Sequence, residues 1–101
     1  MAFDRYATIS IGGEGSVFLD TAATAFSPAA PLKVVAITMI TDCKFSALSA
    51  QSDKFIGILG ANPDGDTIDA TDVFPAGITI YGEWSTVSVS TNGEQCICYL
   101  G

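Results

Sequence analysis

Three cysteines are the most chemically reactive side chains in this sequence of 101 residues. Cys96 and Cys98 stand two residues apart near the end of the chain, and Cys43 stands alone in its middle. A thiol becomes a nucleophile only when a neighbour lowers its pKa, and the sequence has no histidine to act as the paired base. We therefore expect small buried side chains in a reducing compartment. A bridge from Cys43 to one of the pair remains an alternative after release from the cell.

The absence of histidine removes whole classes of chemistry. Ser-His-Asp and Cys-His catalytic sets cannot be built in their usual form. A zinc site would need carboxylates in place of the missing imidazoles. Paired carboxylates could still serve a glycosidase, but a carboxylate-rich loop in so short a chain offers little of the cleft that such an enzyme needs. We do not expect an enzyme.

An acidic loop is the remaining candidate for a metal. Asn62, Asp64 and Asp66 have the alternate spacing of oxygen ligands in a calcium loop. Gly65 comes too early for an EF-hand, and no glutamate stands at the twelfth position. The same residue types form ordinary solvated turns. Calcium at Asn62, Asp64 and Asp66 is thus a weak alternative, and we expect neither a metal nor a cofactor.

Two aromatic residues, Tyr81 and Trp84, could stack against a sugar ring. Residues of this type more often pack in a core or at a subunit interface, where tryptophan and tyrosine are enriched. We expect apolar and aromatic anchors at an interface with another chain. The predicted set is Phe18, Phe26, Val35, Ile37, Met39, Tyr81 and Trp84.

Composition supports association with another protein. Hydrophobic residues make up 49% of the chain and charged residues 15%, where roughly 25% charged is usual. Such a surface is expected to meet another chain, although an ordinary β-rich monomer is an alternative. The net charge of −7 argues against nucleic acid and anionic membrane as partners, because phosphate contacts need lysine and arginine.

Targeting signals are not evident in the sequence. The start of the chain lacks a basic stretch followed by an apolar one, as a secretory signal would have. No apolar run approaches the roughly 20 residues needed to span a bilayer. We expect the protein to be made and to fold in a cytosol.

The hydrophobic pattern predicts an all-β fold. Short alternating or apolar segments separated by glycine, proline and asparagine turns are typical of a compact antiparallel β-sandwich or small barrel, rich in hairpins. We predict one domain over 1–101, with an N-terminal hairpin and proline-bounded connector over 1–31 and the main β core over 32–101. About seven strands are predicted, at residues 5–11, 16–20, 32–40, 43–48, 54–60, 78–90 with a kink at Gly82, and 95–100. Residues 21–27 could form either a short helix or extended coil.

Three segments carry specific predictions. The strand over 32–40 is apolar on both faces, so it should be covered on both sides, with another subunit as one source of cover. The segment Phe74–Gly77 predicts a turn. Asn92-Gly93 predicts a hairpin between the last two strands, and the final strand should be paired and internal. Within the strand over 78–90, one face is predicted to carry Trp84, Thr86, Ser88 and Ser90, and the other face Val87 and Val89.

The two halves of this β core resemble small proteins encoded among the structural genes of tailed bacteriophages. The pattern is an apolar strand, Thr-Asp, a Phe-Ser-x-Leu segment, an acidic loop, Phe-Pro-Ala-Gly before a strand, a turn, and Tyr-Leu-Gly at the end. The resemblance covers a little under half of the chain. Its matching residues are Thr41, Asp42, Phe45, Leu48, Phe74, Pro75, Ala76, Gly77, Ile78, Ile80, Tyr81, Gly82, Asn92, Gly93 and Tyr99.

That resemblance implies a structural role in a virion. The expected function is that of a capsid decoration or cement protein, which stabilises the shell through oligomeric contacts. A homotrimer is favoured, with the major capsid protein or another virion protein as partner. The alternative is an adhesion or carbohydrate-binding module on a tail or fibre. No catalytic residues follow from the resemblance.

Overall fold

The computed structural model describes residues 14–22, 25–50, 55–58 and 66–101. Within those ranges the chain forms a single antiparallel sheet and no helix, which confirms the all-β prediction. Five strands are present there, where about seven were predicted for the whole chain, and the strand predicted over 5–11 lies outside the described residues. The strands are β1 (Ser16–Leu19), β2 (Val34–Met39), β3 (Phe45–Ala50), β4 (Thr79–Val89) and β5 (Cys96–Leu100), and they lie in the order β1-β5-β2-β4-β3.

The strand predicted over 54–60 is not formed in its described part. Residues 55–58 follow an irregular path. The N–H of Ile58 donates to the carbonyl oxygen of Leu48 over 3.0 Å. Gly57 lies so near β3 that a Cβ atom there would stand 2.7 Å from that same carbonyl oxygen. The segment therefore packs closely beside β3 and does not extend the sheet as a regular strand.

The connector between β1 and β2 is extended where it is described. Phe26 and Val87 exchange two backbone hydrogen bonds, of 2.8 and 2.9 Å, in an isolated bridge. Of the two alternatives for residues 21–27, the described residues 25–27 therefore support the extended one. The prolines at 28 and 31 follow directly and lead the chain into β2.

Strand β2 lies at the centre of the sheet because it is apolar on both faces. It pairs with β4 on one side and with β5 on the other. Val34, Ala36, Ile37 and Met39 are all buried. Strand β5 lies between β1 and β2, so the prediction that the last strand is paired and internal is confirmed.

The predicted hairpin between the last two strands is wrong. Asn92 and Gly93 do form a turn, and Gly93 has φ +97°, a conformation that favours glycine. Strands β4 and β5 nevertheless do not pair with each other, because β2 lies between them and both run antiparallel to it. The local turn signal was correct. The apolar strand β2 took the central position, which separates the two strands that flank the turn.

An extra residue in β4 also changes a predicted face. The pairing of β4 with β3 shifts register between Ser49 and Ala50, which leaves Ser85 as an extra residue on β4. An extra residue inverts the alternation of every side chain beyond it. Trp84 consequently lies on the same side as Val87, in one buried cluster, instead of on the opposite side.

The core is built on one side of the sheet, which we call the inner face. All of its members are 0–1% exposed, and they belong to β2, β3, β4 and β5, together with Cys43 just before β3. Partly buried residues such as Leu19 and Phe74 pack against its margin. The core residues are Val34, Ile37, Met39, Cys43, Phe45, Leu48, Trp84, Val87, Val89, Cys96 and Cys98.

A single carboxylate fixes the loop between β4 and β5. One oxygen of Glu94 accepts the N–H groups of Ser90 (3.1 Å) and Thr91 (2.8 Å), and the other accepts the N–H of Lys44 (3.0 Å). The Lys44 ammonium lies 3.8 Å away. Glu94 thereby ties the turn after β4 to the start of β3.

Candidate functional site

The three thiols lie in the core, as the sequence predicted. Cys96 and Cys98 are on the inner face, opposite Met39 and Ile37 of β2, and all three cysteines are unbridged and fully buried. Burial raises the pKa of Cys43, although a hydrogen bond with Thr41 opposes it.

The thiol of Cys96 is also held in the neutral form. The side-chain hydrogen bond with Cys98, together with burial, raises the pKa of Cys96. A raised pKa keeps a thiol protonated at neutral pH, and the thiolate is the reactive form. These side chains are therefore placed to fill space and not to react.

The acidic loop lies only partly within the described residues. Asn62 and Asp64, two of the three calcium candidates, lie outside them, and Asp66 is exposed. Further along, a carboxylate oxygen of Asp72 accepts the N–H of Asp69 over 2.8 Å and so closes a local turn. In the described part of the chain, no group of three metal-binding side chains comes together.

Trp84 is a core residue and does not present its ring to a partner. Its indole is 0% exposed, and its N–H donates to the carbonyl oxygen of Ile56 over 2.7 Å. The ring lies against Gly82, where a Cβ atom would stand 2.7 Å from the indole. A sugar platform of Trp84 with Tyr81 is therefore not available in this structure.

The other predicted anchors fall into three groups. Ile37 and Met39 are buried in the core, so they are covered by this chain itself. Phe26 and Val35 are half-buried, and Phe26 packs against the core cluster. Only two of the seven remain widely open, namely Phe18 at 52% and Tyr81 at 63% exposed.

Both open aromatic residues lie on the side of the sheet that faces away from the core. Residues directly opposite each other in an antiparallel pair point to the same face. The register therefore places two rows of side chains across β1, β5, β2 and β4, and we call these eight residues the outer face. One row is Ser16, Tyr99, Ala36 and Tyr81, and the other is Phe18, Ile97, Thr38 and Thr79.

None of the eight outer-face residues is charged. In an antiparallel sheet with one face on the core, side chains along each strand normally alternate, so that the opposite face is polar and solvated. Here the outer face holds aromatic, aliphatic and hydroxyl side chains. Its two central threonines, Thr38 and Thr79, hydrogen bond to each other over 2.8 Å, so their hydroxyls already have partners.

The charged residues lie around this face. Lys33 and Glu83 form an ion pair of 3.6 Å beside the row that contains Tyr81. The pair lies next to the register shift between β2 and β4. The carboxylates of Asp20, Asp42, Asp66, Asp69 and Asp72 lie in turns and loops outside the strands.

A small open cavity adjoins the outer face at the end of β1. Its volume is about 260 Å³, and it is lined by Phe18 and Phe26 together with Leu19, Asp20, Thr21 and Ala25. The structure thus brings two predicted anchors to the same depression.

Sequence reasoning missed Ile97 and Tyr99 as surface companions of Tyr81, and it missed Ala36 as the buried residue opposite both tyrosines. Alternation along β5 places Ile97 and Tyr99 opposite the buried cysteines, and that signal was present. Their meeting with Phe18 and Tyr81 depends on strand order, which periodicity does not contain.

Several of the residues that carry the phage resemblance take part in contacts between distant segments of the chain. A carboxylate oxygen of Asp42 accepts the N–H of Ala76 over 2.8 Å, and the hydroxyl of Thr41 accepts the N–H of Gln95 over 3.0 Å. The rings of Phe45 and Phe74 pack edge to face with their centres 5.5 Å apart. Segments far apart in sequence are therefore matched to each other in space.

Comparison of the chain with protein-family models, with curated protein sequences and with solved structures found no match. Among the described residues, no helix has the length and apolar character required to cross a membrane.

Proposed function

We propose that this protein is a non-enzymatic structural component of a tailed-bacteriophage virion, acting as a capsid decoration or cement protein. The observation that carries the proposal is the uncharged outer face, with Phe18 and Tyr81 open to solvent. Large exposed aromatic residues on a face without charges are typical of surfaces that bind other proteins. The contacts among the residues of the phage resemblance, from Asp42 to Ala76, are further support.

The proposed mechanism is mechanical. Each copy lies across a joint between shell subunits and buries additional surface there. Standard interfaces bury roughly 1,600 Å² in total. Individually modest contacts add up when many copies bind one shell, because each bound partner raises the effective concentration of the next. The protein acts as a homo-oligomer, with a trimer favoured, bound to the major capsid protein or another virion protein and located in the virion.

The finer fold prediction, a sandwich or small barrel, belongs to this proposal. A sandwich needs a second sheet layer, and the chain itself is one source of it. An assembled particle offers a second source, since a sheet from another chain can pack about 10 Å above an exposed sheet face.

Labelling of particles with a specific antibody, viewed by electron microscopy, tests the proposal. We expect label distributed over the shell. Particles from a lysate in which the gene is deleted are the matched control and should carry none. Absence of label from every particle, with the protein present in the lysate, would remove the virion role.

The second candidate is an adhesion or carbohydrate-binding module on a tail or fibre. Tyr81 and Tyr99 favour it, because they flank the small residue Ala36 in one row of a flat face. Label confined to one vertex or to the tail would support this alternative. A glycan array should then show binding that is lost in Tyr81→Ala and kept in Val73→Ala, a change at an equally exposed apolar residue outside the face.

A further inference from the structure

We propose that the outer face is a self-association surface, on which a second copy of this chain packs face to face about a two-fold axis. The inference deepens the homo-oligomer part of the proposed function and rests on that part alone. A two-fold contact uses the same patch on both chains, so it forms closed pairs, in contrast to the trimer implied by the resemblance.

The distribution of charge identifies the occupant. Each chain carries a net charge of −7, so two copies repel each other wherever their carboxylates face. The eight outer-face positions hold no charge, and the adjoining pair of Lys33 and Glu83 is neutral as a unit. This face is therefore where two acidic chains approach at the lowest electrostatic cost.

Other occupants fit the face less well. A basic protein would be recognised by free carboxylates, and the carboxylate of Glu83 on β4 is already paired with Lys33. An anionic membrane or nucleic acid would need lysines or arginines here. A sugar would find the hydroxyls of Ser16, Tyr81 and Tyr99, but the eight residues include no charged or amide side chain to fix its orientation.

The side chains suit a dry protein contact. Tyrosine and phenylalanine are enriched at the centres of interfaces, and lysine, glutamate and aspartate are depleted there. Tyr81 and Phe18 are 63% and 52% exposed, respectively, so both have surface left to bury. The cavity of about 260 Å³ beside Phe18 offers a depression for a side chain of the second copy.

The size of the face sets the strength of the contact. Four strands at about 4.8 Å spacing and about four residues along each strand cover roughly 19 by 13 Å, or about 250 Å² in plan. A stable interface buries about 800 Å² on each partner. The pair is therefore weak in solution, with a dissociation constant above about 10 µM, and is strengthened only by neighbouring contacts on a particle.

Sedimentation equilibrium of the full chain, from about 10 µM to about 2 mM, tests this inference. We expect the mass to rise with concentration from one chain towards two. Tyr81→Glu and Phe18→Glu should each weaken the association at least about ten-fold, because every pair would then bury two like charges. Val73→Glu is the control, since it makes the same change of charge at a 58% exposed residue outside the face.

The folded state of each variant is checked by fluorescence of Trp84, the only tryptophan. A wild-type mass of one chain throughout the range would overturn the inference, as would a plateau at three chains. Equal weakening by Val73→Glu, or no weakening by Tyr81→Glu and Phe18→Glu, would also overturn it.

The outcome is separable from that of the virion proposal. Self-association through this face, with no antibody label on particles, keeps the inference and removes the virion role. Labelled particles together with a monomer in solution would keep the virion role and remove the inference.

Discussion

The inner and outer faces of the central strands differ in how far their side chains are exposed to solvent. Trp84 and Tyr81 stand three residues apart on β4, yet the first is 0% exposed and the second 63% exposed. On β5, Cys98 is buried in the core, whereas its neighbour Tyr99 lies on the outer face. The core residues of the inner face and the eight residues of the outer face are all uncharged. The difference lies in what covers them, because segments of this chain close over the inner face and leave large aromatic surfaces open on the outer one.

The largest expected effect comes from emptying the inner face. Trp84→Ala removes the largest core side chain together with its hydrogen bond to Ile56. We expect the free energy of unfolding, measured by urea denaturation, to fall by about 3–5 kcal/mol. A loss below about 1 kcal/mol would mean that the indole is not enclosed as described.

Thiol accessibility compares the two faces directly. The three native cysteines are fully buried, and the pKa values of Cys43 and Cys96 are raised. We therefore expect the three to react with a thiol reagent at least about 100-fold more slowly than an unfolded control. Cys43, whose pKa is raised, should stay slow as the pH rises through the ordinary range of a free thiol.

The matched variant for that experiment is Ser16→Cys, which adds a thiol at an exposed outer-face position. One added equivalent should react promptly in the native protein. Prompt reaction of the native cysteines as well would contradict the enclosure of the inner face.

The carboxylate that supports the inner face should matter far more than one beside the outer face. Glu94→Ala leaves the N–H groups of Lys44 and Thr91 without their acceptor, whereas that of Ser90 keeps the carbonyl oxygen of Lys44. We expect a loss of about 2–3 kcal/mol. Glu83→Ala breaks only the exposed pair with Lys33, which is worth about 0–1 kcal/mol. Equal losses in urea denaturation would contradict the role assigned to Glu94.

Gly82 tests the packing of the indole against its own strand. Gly82→Ala would place a Cβ atom 2.7 Å from the ring of Trp84, and we expect a loss of about 1–3 kcal/mol from overpacking. The same change in a Trp84→Ala background should cost much less, because the ring is gone. Additive losses would show that the strain lies elsewhere.

The smallest effect on stability is expected at the outer face. Tyr81→Ser removes a ring that is 63% exposed, so the free energy of unfolding at low concentration should change by less than about 0.5 kcal/mol. A large loss would show that the ring already packs against its own chain. Together with Trp84→Ala, this variant separates a structural face from an associating one.

Part of the candidate site could be predicted from the sequence. Tyr81 and Phe18 were expected at an interface, and their open positions are compatible with that expectation. Trp84, Ile37 and Met39 were expected there too, but they lie in the core. A sequence does not show whether a hydrophobic residue is covered by its own chain or by another chain. Tyr99 and Ile97 were missed because their neighbours come from β1, β2 and β4.

The sequence by itself determined the local features of this protein. Alternation placed Cys96 and Cys98 on one face, the apolar run of β2 required cover on both sides, and glycine set the turn at Gly93. Only the tertiary structure decided strand order, the phase change at Ser85 and the separation of β4 from β5 by β2. Local signals depend on the conformations open to a few consecutive residues, whereas strand order depends on which distant strands bury the most apolar surface together. The outer face arises from strand order, which brings side chains of β1, β5, β2 and β4 side by side.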